Sequence, residues 1–249
     1  MKFVFLCVCC FTLQMAAQGV TTDTVAKSNP EPLKFKYEAL IIPSALIGYG
    51  VIGLESHSIK NINESTNAEF REHIDNQFTI DDISQYAPFL SVYGLNAFGV
   101  KGKHNFKDRT IILGTAYLIM GATVNALKLT GNELRPDGSS KNSFPSGHTA
   151  TAFMGAEFLY QEYKDVSVWY GVAGYAVAAG TGFFRMYNDR HWLTDVASGA
   201  GIGMLSTKIA YWIHPFIKRT FFKDKKDVDG LVMPFYDGRN FGMGMSVGF

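Results

Sequence analysis

Residues 110–127 read TIILGTAYLIMGATVNAL, an unbroken apolar run with no charge and no polar face at helical spacing. Such a segment must bury itself in a protein core or in lipid, and it has company. Uncharged apolar stretches recur at 39–54, 85–100, 166–184 and 196–207, the last continuing through IAYWIHPFI. Two of the runs reach the roughly 18 residues that suggest a membrane span, and the others fall near the margin. A further helix is expected from His148 to about Tyr163, with Glu157 facing the bundle interior as a structural group. Gly, Ala, Ser and Thr are frequent in these runs and let helices approach closely. The expected fold is all-α, a helical bundle with about five or six membrane-embedded helices. The mean hydropathy of +0.03 is low for that many spans, so a buried soluble core is the competing reading of the same runs.

A chain of 249 residues suits one catalytic domain. Its net charge of +1, without a basic stripe interleaved with aromatics, gives no reason to expect a nucleic-acid partner, and no protein partner is expected. After Met1-Lys2, the stretch FVFLCVCCFTLQMAA has the pattern of a secretory signal peptide over residues 1–17. Cys7, Cys9 and Cys10 all lie in it, so cleavage after about Ala17 would remove every thiol. An uncleaved anchor and a lipoprotein are the alternatives. The rest divides into an N-terminal segment 18–84, a core 85–215 and a tail 216–249.

Within 58–84, Ile62, Phe70, Ile74 and Phe78 stand among charges, partly at helical spacing. This suggests an amphipathic helix that either guides a lipid headgroup or caps the bundle. In the tail, Asp237-Gly238 between apolar residues signals a short hairpin. His57, His73, His104 and His214 lie outside any motif and are expected at solvated or interfacial positions.

Chemistry concentrates in three stretches: KLTGNELRP at 128–136, PSGH at 145–148 and RMYNDRHWLTD at 185–195. Lys128, Arg135 and Arg185 suit a clamp on the equatorial oxygens of a phosphoryl group. One histidine can attack phosphorus while the other protonates the leaving oxygen. His191 and Asp195 are four apart, which on a helix places them on one face and lets the carboxylate orient the imidazole. Ser146 and Gly147 open a helix whose N-terminus suits an anion, with His148 beside it. Two histidines and an aspartate can also bind zinc, but three cations aimed at the same point repel a metal, and no metal or cofactor is expected.

In this order and spacing, Lys-x6-Arg-Pro, Pro-Ser-Gly-His and Arg-x5-His-x3-Asp resemble the type 2 phosphatidic acid phosphatase (PAP2) superfamily, over roughly residues 85–215. The superfamily also includes class A acid phosphatases and vanadium haloperoxidases. The resemblance implies His191 as a nucleophile forming a phosphohistidine, Asp195 as its partner and His148 as general acid. It further implies phosphate contacts from Lys128, Arg135, Ser146, Gly147 and Arg185. One departure is Phe184, where the family usually has Ser, which removes one hydroxyl contact to phosphate.

The implied activity is metal-independent hydrolysis of a membrane lipid phosphate. Candidates are lipid A phosphates, undecaprenyl pyrophosphate, phosphatidylglycerophosphate and phosphatidic acid, with the first two preferred. A secreted acid phosphatase is the alternative; a haloperoxidase and a non-enzymatic membrane protein stand behind it. The connectors KGKHNFKDR at 101–109 and KRTFFKDKK at 218–226 are basic, so by the positive-inside rule they face the cytoplasm. The three motifs then face the periplasm from a bacterial inner membrane. A cleaved signal followed by a full span at 39–54 would invert this arrangement, so that stretch, interrupted by Pro43 and Gly48, is expected to lie in the bundle or interface without crossing.

Overall fold

The computed structural model describes residues 37–72, 79–222, 229–236 and 241–248. The signal-peptide reading, and His73, Ile74 and Phe78, lie outside the described residues. Among these the order is α1 Glu38–Gly53, α2 His57–Glu72, α3 Ile80–Ser84, α4 Ala87–Ala97, α5 Phe106–Thr130, α6 Gly147–Tyr163, α7 Val168–Tyr187 and α8 Leu193–Phe221. Strands β1 Asp229–Tyr236 and β2 Phe241–Gly248 then pair antiparallel, from Asp229 opposite Gly248 to Tyr236 opposite Phe241. The hairpin pairing in the tail is present, and its turn residues 237–240 are not described.

Polar caps start the long helices. Asn105 accepts the Asp108 N–H at 2.8 Å to open α5, and the Ser146 and Ser167 hydroxyls do the same for α6 and α7. α6 is the central helix, with Ala150, Met154, Ala156 and Phe158 wholly buried. Around it, Ile112, Met120 and Val124 of α5 and Ile202 and Tyr211 of α8 complete the core. Glycines on α8 set the spacing. A Cβ on Gly199 would fall 2.4 Å from the Ser146 carbonyl oxygen, and one on Gly203 would fall 2.2 Å from that of Ala150. The backbones of α6 and α8 therefore meet directly at the point where α6 begins. On another face of α8, a Cβ on Gly201 would meet the Pro43 carbonyl of α1 at 2.6 Å. α1 runs through Pro43 as one helix against α8.

α5 is long and apolar enough by itself to cross a bilayer; α1 and α2 reach that standard only as a pair bent by 95°. Of the two runs of span length, α7 falls short, being diluted by Gly and Tyr. Large apolar side chains nevertheless point outward all round, including Ile42, Ile52, Leu90, Leu118, Trp169 and Phe216.

The helices carry the three motifs to one end of the bundle, and residues 101–109 and 218–222 to the other. At that second end Lys218 of α8 binds Asp108 of α5 at 2.9 Å, and the Lys103 N–H reaches the Glu162 carbonyl. Of the solvated or interfacial positions expected for His104 and His214, the structure shows partly sheltered ones between helix ends. His104 Nδ1 lies 2.7 Å from Glu162 Oε1, and buried His214 lies 3.6 Å from Asp108 Oδ1. Both histidines are drawn inward because the helix ends bring acids beneath them. Glu157 is buried as expected, paired with Lys208 at 2.7 Å and bonded by Gln161 and Tyr175.

Candidate active site

The loop between α7 and α8 carries His191, and its shape departs from the helical reading of residues 191–195. α7 ends at Tyr187, and Asp189 takes a left-handed φ of 57°, which a helix does not tolerate. Two N–H groups, of Arg190 and His191, turn back onto the Arg185 carbonyl. His191 therefore precedes α8, and Asp195 sits in its first turn, where Oδ2 accepts the Trp192 N–H at 2.9 Å. The two still meet: His191 Nδ1 stands 3.4 Å from Asp195 Oδ2. Asp195 reaches the imidazole by folding back over a helix start.

Both groups are sealed from water, at 2% and 0% side-chain exposure. Burial pushes the His191 imidazole down to about 4; Asp195 opposes the fall, while Arg185 and Lys128 add to it. At neutral pH His191 is thus an uncharged imidazole. The Ser143 hydroxyl donates to Asp195 Oδ2, and the Ser146 N–H donates to the Asp195 carbonyl at 3.0 Å. The PSGH turn is thereby fastened to the start of α8. The Ser146 hydroxyl is buried and engaged with Thr149 as the cap of α6, and Gly147 is the first helical residue.

Lys128 closes α5, and its Nζ donates to the Asn142 carbonyl at 2.6 Å. Arg135 Nε donates to the Asn142 side-chain oxygen at 3.2 Å. Lys128 lies within electrostatic reach of Arg135, Arg185 and Asp195. Arg185 is buried and bonded by Nη1 to Asp81 at 2.6 Å. His148 Nε2 lies 3.0 Å from Asp82 Oδ1. The three cations, His191 and Asp195 share one electrostatic neighbourhood, and Arg185 also bears on His148.

Several residues with no motif hold this arrangement. α2 presents Asn63, Asn67 and Arg71 at four-residue intervals, one face of a helix. Asn63 exchanges bonds with Thr194 at 2.9 and 3.3 Å, and Asn67 donates to Asp189. Arg71 reaches Asp189 at 3.1 Å and the Pro136 carbonyl at 2.9 Å. Trp192 Nε1 donates to the Leu134 carbonyl, and Arg190 pairs with Asp137 at 3.1 Å. α2 thus clasps the loop that carries His191, so its polar face holds the site. Asn63 and Asn67 could have been noticed only by their spacing. Asn142 had one signal, a polar residue shortly before the predicted phosphate ligand Ser146, and Asp81 and Asp82 had none.

Residues 109–219 match the model of the PAP2 superfamily. The chain is 45% identical over 143 residues to the lipid A 1-phosphatase of Porphyromonas gingivalis, covering 56% of this chain and 32% of that protein. It is 34% identical over 74 residues to the bacitracin transport permease protein BcrC of Bacillus licheniformis, covering 30% and 34%. The chain thus spans about a third of the length of these curated relatives. Among solved structures, LpxE of Aquifex aeolicus aligns with a TM-score of 0.44 at 24% identity, over 57% of this chain and 92% of that one. The PAP2-type phosphatidylglycerolphosphate phosphatase of Bacillus subtilis aligns with a TM-score of 0.45 at 19% identity, over 72% and 98%. The family match runs from α5 to the last turns of α8 and encloses all eight residues of the three motifs singled out above.

Proposed function

We propose that this protein is a metal-independent lipid phosphatase that works through a phosphohistidine at His191, with lipid A 1-phosphate as the leading substrate. One observation carries the reading: an uncharged imidazole, backed by a sealed carboxylate, lies in the field of three cations. With the Nδ1 proton assigned toward Asp195, the Nε2 lone pair is the nucleophile. Lys128, Arg135 and Arg185 neutralise the phosphoryl oxygens, and Gly147 at the α6 N-terminus adds a backbone donor. The P–O bond breaks as the N–P bond forms, and His148 protonates the departing oxygen. Water then cleaves the N–P bond, returning a proton to His148. Resemblance to a lipid A 1-phosphatase supports the choice of substrate, and the outward apolar side chains support a bilayer around the helices.

The test compares a long-chain lipid phosphate with a soluble aryl phosphate, using detergent-solubilised protein. Binding energy from the chains positions the phosphate, so kcat/KM falls steeply when they are removed. Equal efficiency on both, with the protein recovered in a soluble extract, would replace this reading with a secreted acid phosphatase. Because charge neutralisation falls to side chains, turnover survives chelator and is inhibited by vanadate; silencing by EDTA with rescue by zinc or magnesium would contradict it.

The same proposal places the protein in a bacterial inner membrane with five or six embedded segments and the site toward the periplasm. The basic residues Lys103 and Lys218 lie at the end away from the site, in keeping with the positive-inside rule. With Cys7, Cys9 and Cys10 replaced by Ser, a cysteine at Gly138 is expected to react with an impermeant thiol reagent added outside, and one at Lys103 is not. Labelling at Lys103 alone would turn the site to the cytoplasm.

A further inference from the structure

α3 brings to the phosphate seat two carboxylates that none of the three motifs contains. Asp81 is fully engaged, accepting from Arg185 Nη1 at 2.6 Å and from Asn188 Nδ2 at 3.1 Å. Asp82 turns the other way, with Oδ1 3.0 Å from His148 Nε2 and 3.8 Å from Arg185 Nη1. Its backbone is fixed from both sides. The Asp82 carbonyl accepts from Gln85 Nε2 at 2.9 Å, and the Ser84 hydroxyl bonds that of Thr181 on α7 at 2.8 Å.

The site therefore contains two imidazole–carboxylate couples in opposite surroundings. His191 and Asp195 are sealed, whereas the His148 and Asp82 side chains are 31% and 58% exposed. A sealed couple favours the neutral ring that a nucleophile needs. A couple open to water, with its carboxylate solvated, tolerates the charged ring that an acid needs. The charged groups bearing on His148 are Asp81 and Asp82 of α3 and Arg185 of α7. Burial pulls the His148 imidazole below its usual range and Arg185 adds to the fall, while the bond and charge of Asp82, with Asp81 behind it, oppose them, so Asp82 is the main group holding a proton on the ring.

We infer that Asp82 is the positioning carboxylate of the general acid: it orients His148 and strengthens its hold on the proton until substrate arrives. The inference rests on the phosphatase reading above. At rest Asp82 accepts the Nε2 proton. When a lipid phosphate enters, its leaving oxygen takes the place of Asp82. The Nε2–H bond then breaks as the leaving-group O–H bond forms, in step with P–O cleavage and N–P formation at His191. In the second step, attacking water gives its proton to His148, and Asp82 recovers the charged ring. Its exposure is what lets it yield, since water solvates the carboxylate when it moves and Arg185 keeps its shorter bond to Asp81.

The test uses full-length wild type, Asp82→Asn and His148→Ala on two substrates. One is a lipid phosphate with an alkoxide leaving group; the other is nitrophenyl phosphate, whose leaving group needs no proton. Asp82→Asn is expected to lose roughly 10- to 100-fold in kcat/KM on the lipid and less than about threefold on the aryl ester, below the full range for general acid catalysis. The basic limb of its pH profile is expected to move down by about one unit, the low end for losing an opposite charge at this distance. His148→Ala is expected to show the same leaving-group dependence, more strongly. Equal loss on both substrates with an unmoved limb would reduce Asp82 to a structural role and overturn the inference, as would no loss or a gain. Should His148→Ala itself show no leaving-group dependence, the general-acid reading beneath would fall, and this inference with it; dependence in His148→Ala but not in Asp82→Asn would overturn the inference alone.

Discussion

Alanine at position 191 is expected to lower turnover by roughly 10⁴- to 10⁶-fold, the scale on which deletion of a covalent nucleophile acts. His191 is buried but makes few bonds that the fold needs, since its Nδ1 faces Asp195 at 3.4 Å without a well-formed hydrogen bond. The variant is therefore expected to fold, and solubilised protein with an unchanged melting temperature is the control. The wild-type pH profile carries the same signature. His191 is lowered to about 4, so the nucleophile is neutral above that value and is lost by protonation only as pH falls through it. The acid limb of kcat/KM is expected far below the ordinary histidine range. An acid limb near 6.5 that persists with a good leaving group would mean that the attacking imidazole is not the sealed one.

Arg185→Gln is the second large effect, and it acts twice. Removing the guanidinium takes away a stabiliser of phosphoryl charge, worth roughly 10²- to 10³-fold in turnover. It also strands Asp81, which is 1% exposed and among the described residues keeps a bond from Asn188, at a cost of about 3–5 kcal/mol for a broken buried pair. The two losses separate in the double variant Arg185→Gln with Asp81→Asn. There the uncharged pair is expected to regain most of the lost melting temperature, while turnover stays low. Recovery of turnover together with stability would show that Arg185 serves the fold rather than the phosphate.

What could be read from the sequence was chemistry at fixed spacing. Lys128, Arg135, His148, Arg185, His191 and Asp195 stand in one region because each lies at a helix end or in a loop joining two helices at the same end of the bundle. Spacing did not reveal local geometry. A four-residue interval implied a helix at 191–195, but Asp189 breaks it, and the pair meets through the first turn of α8 instead. The break is invisible in sequence because Asp tolerates positive φ without requiring it.

Long-range partners were equally hidden. Asp81 and Asp82 looked like part of a solvated acidic stretch; only tertiary packing sets them beside Arg185 and His148, about a hundred and about seventy residues away along the chain. Asn142 and the Asn63, Asn67, Arg71 face of α2 carry no chemistry of their own, so nothing in their identity announced a role. The helices themselves followed the apolar runs closely. α5 extends beyond 110–127 at both ends because Asn105 caps it on one side and Lys128 still fits its last turn on the other.

The central claim is a covalent phosphate on His191, and rapid quenching tests it most directly. Labelled lipid phosphate is mixed with enzyme for milliseconds, quenched in base and mapped by mass spectrometry. The account predicts an acid-labile, base-stable phosphate on the peptide containing His191, absent from His191→Ala and still formed by His148→Ala when the leaving group needs no proton. Phosphate mapped to His148, or an adduct that persists in His191→Ala, would contradict it.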